Sequence, residues 1–185
     1  MNAFETIPML KFPLVFNVSL LGLATMATFN FAGTPTSAAP QLAATATRSR
    51  AIQIFLPKKA GPQQDLSYVA PVWRQAPTAS VAQFAIAQVL AGPTRQEQQR
   101  GFTAPITLRG ASNCGRDFTL AIVSNVARLR FCRPVLSGGV GDDARMTSAL
   151  KTTLKQFPTI RSVVLLDQNG NCLGDLSGDN RCLRP

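Results

Sequence analysis

The side chains of this chain whose types could do chemistry are four cysteines, a set of carboxylates and a few serines and lysines; histidine is absent. That absence removes Ser-His and Cys-His nucleophile pairs and imidazole metal sites together. Paired carboxylates could still serve as acid and base. Those available beyond the first fifty residues are Asp65, Glu97, Asp117, Asp142, Asp143, Asp167, Asp175 and Asp179. Most fall in turns or at a helix start, where a carboxylate is a cap or a solvated charge, so a glycosidase pair is disfavoured. Ser148-Ala-Leu-Lys151 has the S-x-x-K spacing of a serine nucleophile with a lysine base. It lies inside a helix rather than at its start, and no S-D-N or K-T-G partner accompanies it, so it reads as coincidence. The loop Ser137-Gly-Gly-Val-Gly141 could offer backbone N–H groups to an anion, but Asp142 and Asp143 would repel phosphate and the P-loop spacing is missing. Asp167-Gln-Asn-Gly-Asn171 lacks the glycine and glutamate that a calcium-binding EF-hand loop needs at its sixth and twelfth positions. No metal or cofactor is expected.

The cysteines Cys114, Cys132, Cys172 and Cys182 are even in number and fit an oxidised framework. Three pairings are formally open. Cys114 with Cys132 and Cys172 with Cys182 is preferred, because each pair brackets a segment that folds back on itself; closing the first loop is worth about 3 kcal/mol. Their spacing is too wide for the close pairs of a structural zinc site. Export agrees with this. Residues 1–39 read as a signal peptide, with Lys11 before the apolar run from Phe12 and small residues at Thr36-Ser-Ala-Ala39; an uncleaved anchor is the alternative. The expected location is periplasmic or extracellular. The net charge of +10 at a pI near 10.5 would raise nucleic acid as a partner. Export and the scatter of the bases argue instead for a solvated basic face or for attraction to anionic polymer and lipid headgroups.

The elements that position these residues follow a linker over 40–50. A strand is expected from Ala51 to Leu56, stopped by Pro57, and a second within Ser67–Arg74, where Pro71 makes it an edge or a bent strand. A helix from Ser80 to Ala91 is capped by the Ser80 hydroxyl and closed by Gly92 in a left-handed conformation, with Pro93 unable to continue it. Being apolar around most of its circumference, it must be buried on more than one side, by its own sheet or by a partner. Asp117–Ser124 and Val126–Cys132 read as a hairpin turning near Asn125, its second strand apolar on Leu129 and Phe131 and basic on Arg128 and Arg130. A second helix over Asp142–Phe157 carries Met146, Leu150, Leu154 and Phe157 on one face and ends at Pro158. The nearly all-apolar strand Ser162–Asp167 suggests a central place in the sheet. Asn169-Gly170 turns the chain into a tail over 174–185. The order β-β-α-β-β-α-β describes an α+β fold, with about five strands in one sheet covered on one face by two main helices.

Val89-Leu-Ala-Gly-Pro-Thr-Arg-Gln-Glu97, with Gly101 beyond it, resembles the signature of the GerMN domain, the sporulation and spore-germination module. Leu154-Lys-Gln-Phe-Pro-Thr-Ile-Arg-Ser-Val-Val-Leu-Leu-Asp-Gln-Asn-Gly170 is similar to that family's closing segment, and the hairpin Phe118–Phe131 fits its central strands. The resemblance runs over roughly residues 52–173, which places the domain at 51–173. Thr103-Ala-Pro-Ile-Thr-Leu-Arg-Gly110 departs from the family's Ile-Pro-x-Gly-Thr stretch, and the four cysteines stand outside its pattern. The resemblance implies a non-enzymatic module, similar to ring-building motifs, that takes part in envelope assemblies and has no catalytic residues. Gly92, Pro93, Thr94, Glu97, Gly101, Phe157, Pro158 and Gly170 match its motifs as structural positions. Thr94 would cap a short helix, with Glu97 completing the capping box. The expected partners are envelope proteins or further copies of the chain, through the helix from Ser80 or the Arg128 and Arg130 face, and not nucleic acid. An anionic-polymer or membrane-surface binder is the alternative, and an envelope hydrolase the third reading.

Overall fold

The computed structural model describes residues 49–59, 65–175 and 177–184. The expected signal peptide and most of the linker lie outside the described residues. Alternation of Ile52, Ile54 and Leu56 with more exposed residues makes β1, Ser49–Pro57, which begins within the expected linker. It pairs antiparallel with β2, Val69–Pro77, in a register that sets Ile54 opposite Val72 and Phe55 opposite Pro71.

Helix α1, Val81–Ala91, follows, then the short α2, Arg95–Gln99. The Ser80 hydroxyl does not cap α1. Ser80 sits at φ 54°, ψ 40°, in the left-handed region rather than the extended one that aims a capping oxygen at the helix, and only its carbonyl joins the ladder, accepting from the Phe84 N–H at 3.0 Å. At the other end Gly92 has φ 74° with an extended ψ of −164°, and its N–H donates to the Gln88 and Val89 carbonyls. A Cβ there would also come within 3.2 Å of Ala104 Cβ, so glycine is needed for space as well as for torsion.

A two-residue strand β3, Thr107–Leu108, pairs with β6, Val135–Leu136. Between them β4, Phe118–Val123, and β5, Val126–Phe131, form the expected hairpin; Ser124 and Asn125 both take positive φ (49° and 63°), as a two-residue primed turn requires. Helix α3, Val140–Lys155, starts earlier than expected because Gly139, at φ 115°, offers its carbonyl to the N–H groups of both Asp142 and Asp143. It carries the chain over to β7, Ser162–Leu166, which lies parallel to β5. A 3-10 turn, Arg181–Leu183, closes the described chain.

The α+β order is as expected, but the strands do not form one five-stranded sheet. They divide into β1-β2, the small β3-β6 pair and a β4-β5-β7 sheet. In the last of these β5 is central and β7 is not. β7 reads as central because the returning chain covers its outer flank: the Leu173 N–H donates to the Leu165 carbonyl at 2.9 Å, and Leu166 bridges Cys172. One apolar core nonetheless joins the two larger sheets through Ile54, Leu56, Ile86, Val89, Leu129, Phe131, Leu150 and Leu154, all fully buried. Each such side chain contributes on the order of 1.5–3 kcal/mol. Met146, Leu150 and Leu154 of the α3 stripe are buried and Phe157 is half-buried. Helix α1 is less enclosed than its composition suggests. Ala85, Ile86 and Val89 are buried, Phe84 and Leu90 half-buried, and Ala87 and Ala91 exposed along one flank.

Candidate functional site

The Gly92-Pro93-Thr94 stretch, Glu97 and Gly101 are brought together around α2. Thr94 Oγ1 accepts from the Glu97 N–H at 3.3 Å, and Glu97 Oε2 accepts from the Thr94 N–H at 2.8 Å, which completes the capping box. Sequence reasoning missed the third member, Arg74 of β2. Its guanidinium grips both Glu97 oxygens, Nη1 to Oε1 at 2.6 Å and Nη2 to Oε2 at 2.8 Å, and Nη1 also donates to the Trp73 carbonyl at 3.0 Å. Glu97 is only 6% exposed. The Arg74 hydrogen bonds, opposed by burial and aided by the Thr94 N–H, hold its carboxyl down at about 2. An acid that stays ionised and fully partnered cannot shuttle protons near neutral pH, so this cluster is a staple. Gly101, at φ 89°, accepts from the Lys59 N–H at 3.0 Å, and the Thr103 N–H reaches the Pro57 carbonyl at 2.9 Å, so α2 and the segment after it are laced to the end of β1. Lys58 and Arg100 both lie over the Phe102 ring, at 5.3 and 5.8 Å from its centre.

Phe157 and Pro158 form the turn after α3, where the Ile160 N–H returns to the Phe157 carbonyl. The turn is tied to the hairpin tip by Asn125. Its side-chain amide donates to the Thr159 carbonyl at 3.0 Å, and its own carbonyl accepts from the Arg161 N–H at 2.8 Å. This lock sets β7 in register with β5. Gly170, at φ 87°, closes the turn in which Asp167 accepts from the N–H groups of Asn169 and Asn171. Cys114 is bonded to Cys132 and Cys172 to Cys182, with Cα separations of 5.6 and 5.9 Å. The first disulfide fastens the open end of the β4–β5 hairpin.

Most of the candidate carboxylates are engaged in turns and ion pairs. Asp117 pairs with Arg133, Asp142 with Arg145 and Asp179 with Arg181. Asp65 accepts from Ser67, and Asp175 from Ser177. Asp65 and Asp142 do share one open cleft of about 450 Å³, with Lys58, Lys59, Tyr68 and Arg145. The Ser67 hydrogen bonds keep the Asp65 carboxyl below its usual range, whereas the general acid of a glycosidase pair needs the opposite shift. Ser148 and Lys151 lie within α3, as the sequence indicates.

What remains is the β4-β5-β7 sheet and the flank of α1 beside it. Arg128 and Arg130 stand exposed on the outer face of β5, opposite Ala121 and Thr119 of β4. Arg130 leans toward β7 and donates to the Gln168 carbonyl at 2.7 Å. The Cys132 N–H donates to the Asp117 carbonyl at 2.8 Å, which fixes the parity of the antiparallel ladder: alternate residues from Asp117 bond to β5, and Phe118, Leu120 and Ile122 point their N–H and C=O groups away from it. Among the described residues no element pairs with that edge. Beside it lies an apolar groove of about 330 Å³ lined by Ala87, Leu90 and Ala91 of α1 with Ile106, Leu108 and Phe118, rimmed by the Asp117–Arg133 pair. Ile122 is 43% and Val123 65% exposed.

No protein-family model matches the chain, and no curated protein matches it. Among solved structures, the first GerMN domain of the sporulation protein GerM from Bacillus subtilis is similar at 23% identity and a TM-score of 0.47, over 67% of this chain and 86% of that one. The tandem GerMN domains of the same protein are similar at 19% identity and a TM-score of 0.46, over 68% of this chain; the match spans 41% of the tandem structure.

Proposed function

We propose that the chain is an exported, non-enzymatic module that assembles with other proteins of the bacterial cell envelope, in the sporulation- or germination-related setting that its GerMN-like motifs imply. The observation that carries this reading is the open edge of β4, held between a disulfide at one end and a two-residue turn at the other. A strand so fixed loses little further entropy when it pairs, which is what an assembly surface requires. The two disulfides suit an oxidising compartment, and the engaged carboxylates suit a scaffold. In envelope preparations, chemical crosslinking of the full chain followed by mass spectrometry is expected to capture neighbouring proteins. A chain that stays monomeric and captures none overturns the reading.

The excess of bases favours a second reading, an anionic-polymer or membrane-surface binder. Among the described residues, Arg128 and Arg161 are exposed and stand outside the four ion pairs. Sedimentation with cell walls that is reversed by moderate salt would favour it, since screening at 0.15 M already shortens the reach of exposed charges to about 8 Å.

A further inference from the structure

We propose that the free edge of β4 takes an extended segment of a partner protein as an added antiparallel strand, and that this segment alternates acidic with apolar side chains. The inference rests on the assembly reading above and names its surface.

The backbone supplies the first argument. Phe118, Leu120 and Ile122 present N–H and C=O groups outward in the spacing that a further strand needs. The strand Phe-Thr-Leu-Ala-Ile-Val holds no charge and no proline, the devices with which exposed edges are normally blunted. Among the described residues the edges of β1, β2 and β7 are blocked at several positions. The outward N–H groups of Gln53 and Phe55 in β1 are taken by Gln156 and Thr153 of α3, at 3.1 and 3.0 Å. In β2 the outward positions include Pro71 and Pro77, and the Trp73 carbonyl accepts from Arg74. The returning C-terminal segment covers β7.

Charge and shape supply the second. Arg128 stands opposite Ala121 of an uncharged β4 and Arg116 lies just before that strand, while Arg130 leans toward β7 and Arg133 is paired with Asp117, the nearby carboxylate. Ala121, opposite Arg128, is small enough to let that side chain extend across β4 toward an added strand. An incoming strand would therefore present carboxylates on this outer face. Its other face would meet the apolar groove between α1 and Phe118, together with Ile122. A second copy pairing through its own β4 would bring two such basic sheets together, so charge favours a partner of opposite sign.

The test uses the full chain and a labelled synthetic peptide alternating glutamate with valine, read by fluorescence anisotropy and by amide exchange at Leu120 and Ile122. The peptide is expected to bind and to slow exchange at both amides, while a lysine-valine peptide binds at least tenfold more weakly. Ile122→Pro, which removes an outward N–H and no donor of the β4–β5 ladder, is expected to weaken binding at least tenfold. Arg128→Glu, on the exposed face and safe for the fold, is expected to reverse the preference between the two peptides. The proposal is overturned if both amides are already protected without peptide, if Arg128→Glu leaves the preference unchanged, or if the chain self-associates through this edge in the absence of peptide. Crosslinks to envelope neighbours that persist in Ile122→Pro would sink the edge site and leave the assembly reading standing. Loss of all crosslinks in the unsubstituted chain would sink that reading itself.

Discussion

The outer edges of β1 and β4 face the same physical problem and meet it differently. Each has a row of N–H and C=O groups that the strand's own partner leaves free. At β1 the row is closed from α3: Thr153 Oγ1 accepts from Phe55, and Gln156 both accepts from the Gln53 N–H and donates to its carbonyl. At β4 the row is open among the described residues, beside an apolar groove. The closed edge places polar helix residues inside the core, Thr153 being fully buried, and accepts the risk of orphaned groups if one is lost. The open edge avoids that dependence and is kept extended by a disulfide and a tight turn instead. Stability is concentrated where edges are closed, and availability where one is not.

The sharpest way to break this contrast is to attack the closed side at its ion pair. Arg74→Met removes both hydrogen bonds to Glu97 and the donor on the Trp73 carbonyl, leaving a buried carboxylate with only the Thr94 N–H and capping contacts. Such a loss is expected to cost about 3–5 kcal/mol, read as a lower urea midpoint at unchanged slope. A cost under about 1 kcal/mol would mean that the β1-β2 layer does not rest on this pair.

Acid should reach the same pair more gently. The folded-state carboxyl of Glu97 is held at about 2 against an ordinary 4.5. Its contribution is therefore fully present above the ordinary value and lost as pH falls from 4.5 toward 2. The stability at stake is about 3 kcal/mol. Urea midpoints of the parent chain should fall through that window, and those of Glu97→Gln should fall less. Equal falls would assign the acid sensitivity to other carboxylates.

What could be read in advance follows from how local each interaction is. The hairpin was legible because Leu129 and Phe131 alternate with Arg128 and Arg130 and Asn125 tolerates positive φ. The capping box was legible because Thr94 and Glu97 lie three residues apart. The Arg74–Glu97 grip joins residues 23 apart in sequence and left no local trace. Ser80 has the right type for an N-cap, yet its backbone adopts the left-handed conformation, which residue type alone does not forbid. The division of the sheet was hidden because each strand's own pattern is satisfied by burial on one face, whichever neighbour pairs along its edge. Most instructive are Thr153 and Gln156. Polar residues of a helix read as solvated, but Thr153 sits between Leu150 and Leu154 on the apolar stripe of α3, and that misplacement was the available sign of a buried acceptor.

A paired substitution measures the contrast at its finest scale. Thr153→Val keeps the side-chain shape and removes the oxygen that accepts from Phe55, leaving a buried N–H without its partner. A loss of about 1–3 kcal/mol is expected, with faster exchange of the Phe55 amide. Thr119→Val makes the same chemical change on β4, where the side chain is exposed opposite Arg130 and the residue's backbone is already paired with β5. There the change is expected to stay within about 0.5 kcal/mol, with exchange at Leu120 and Ile122 unaltered. If the two substitutions cost the same, the helix does not close the β1 edge in any energetic sense, and the difference between the two edges is one of position alone.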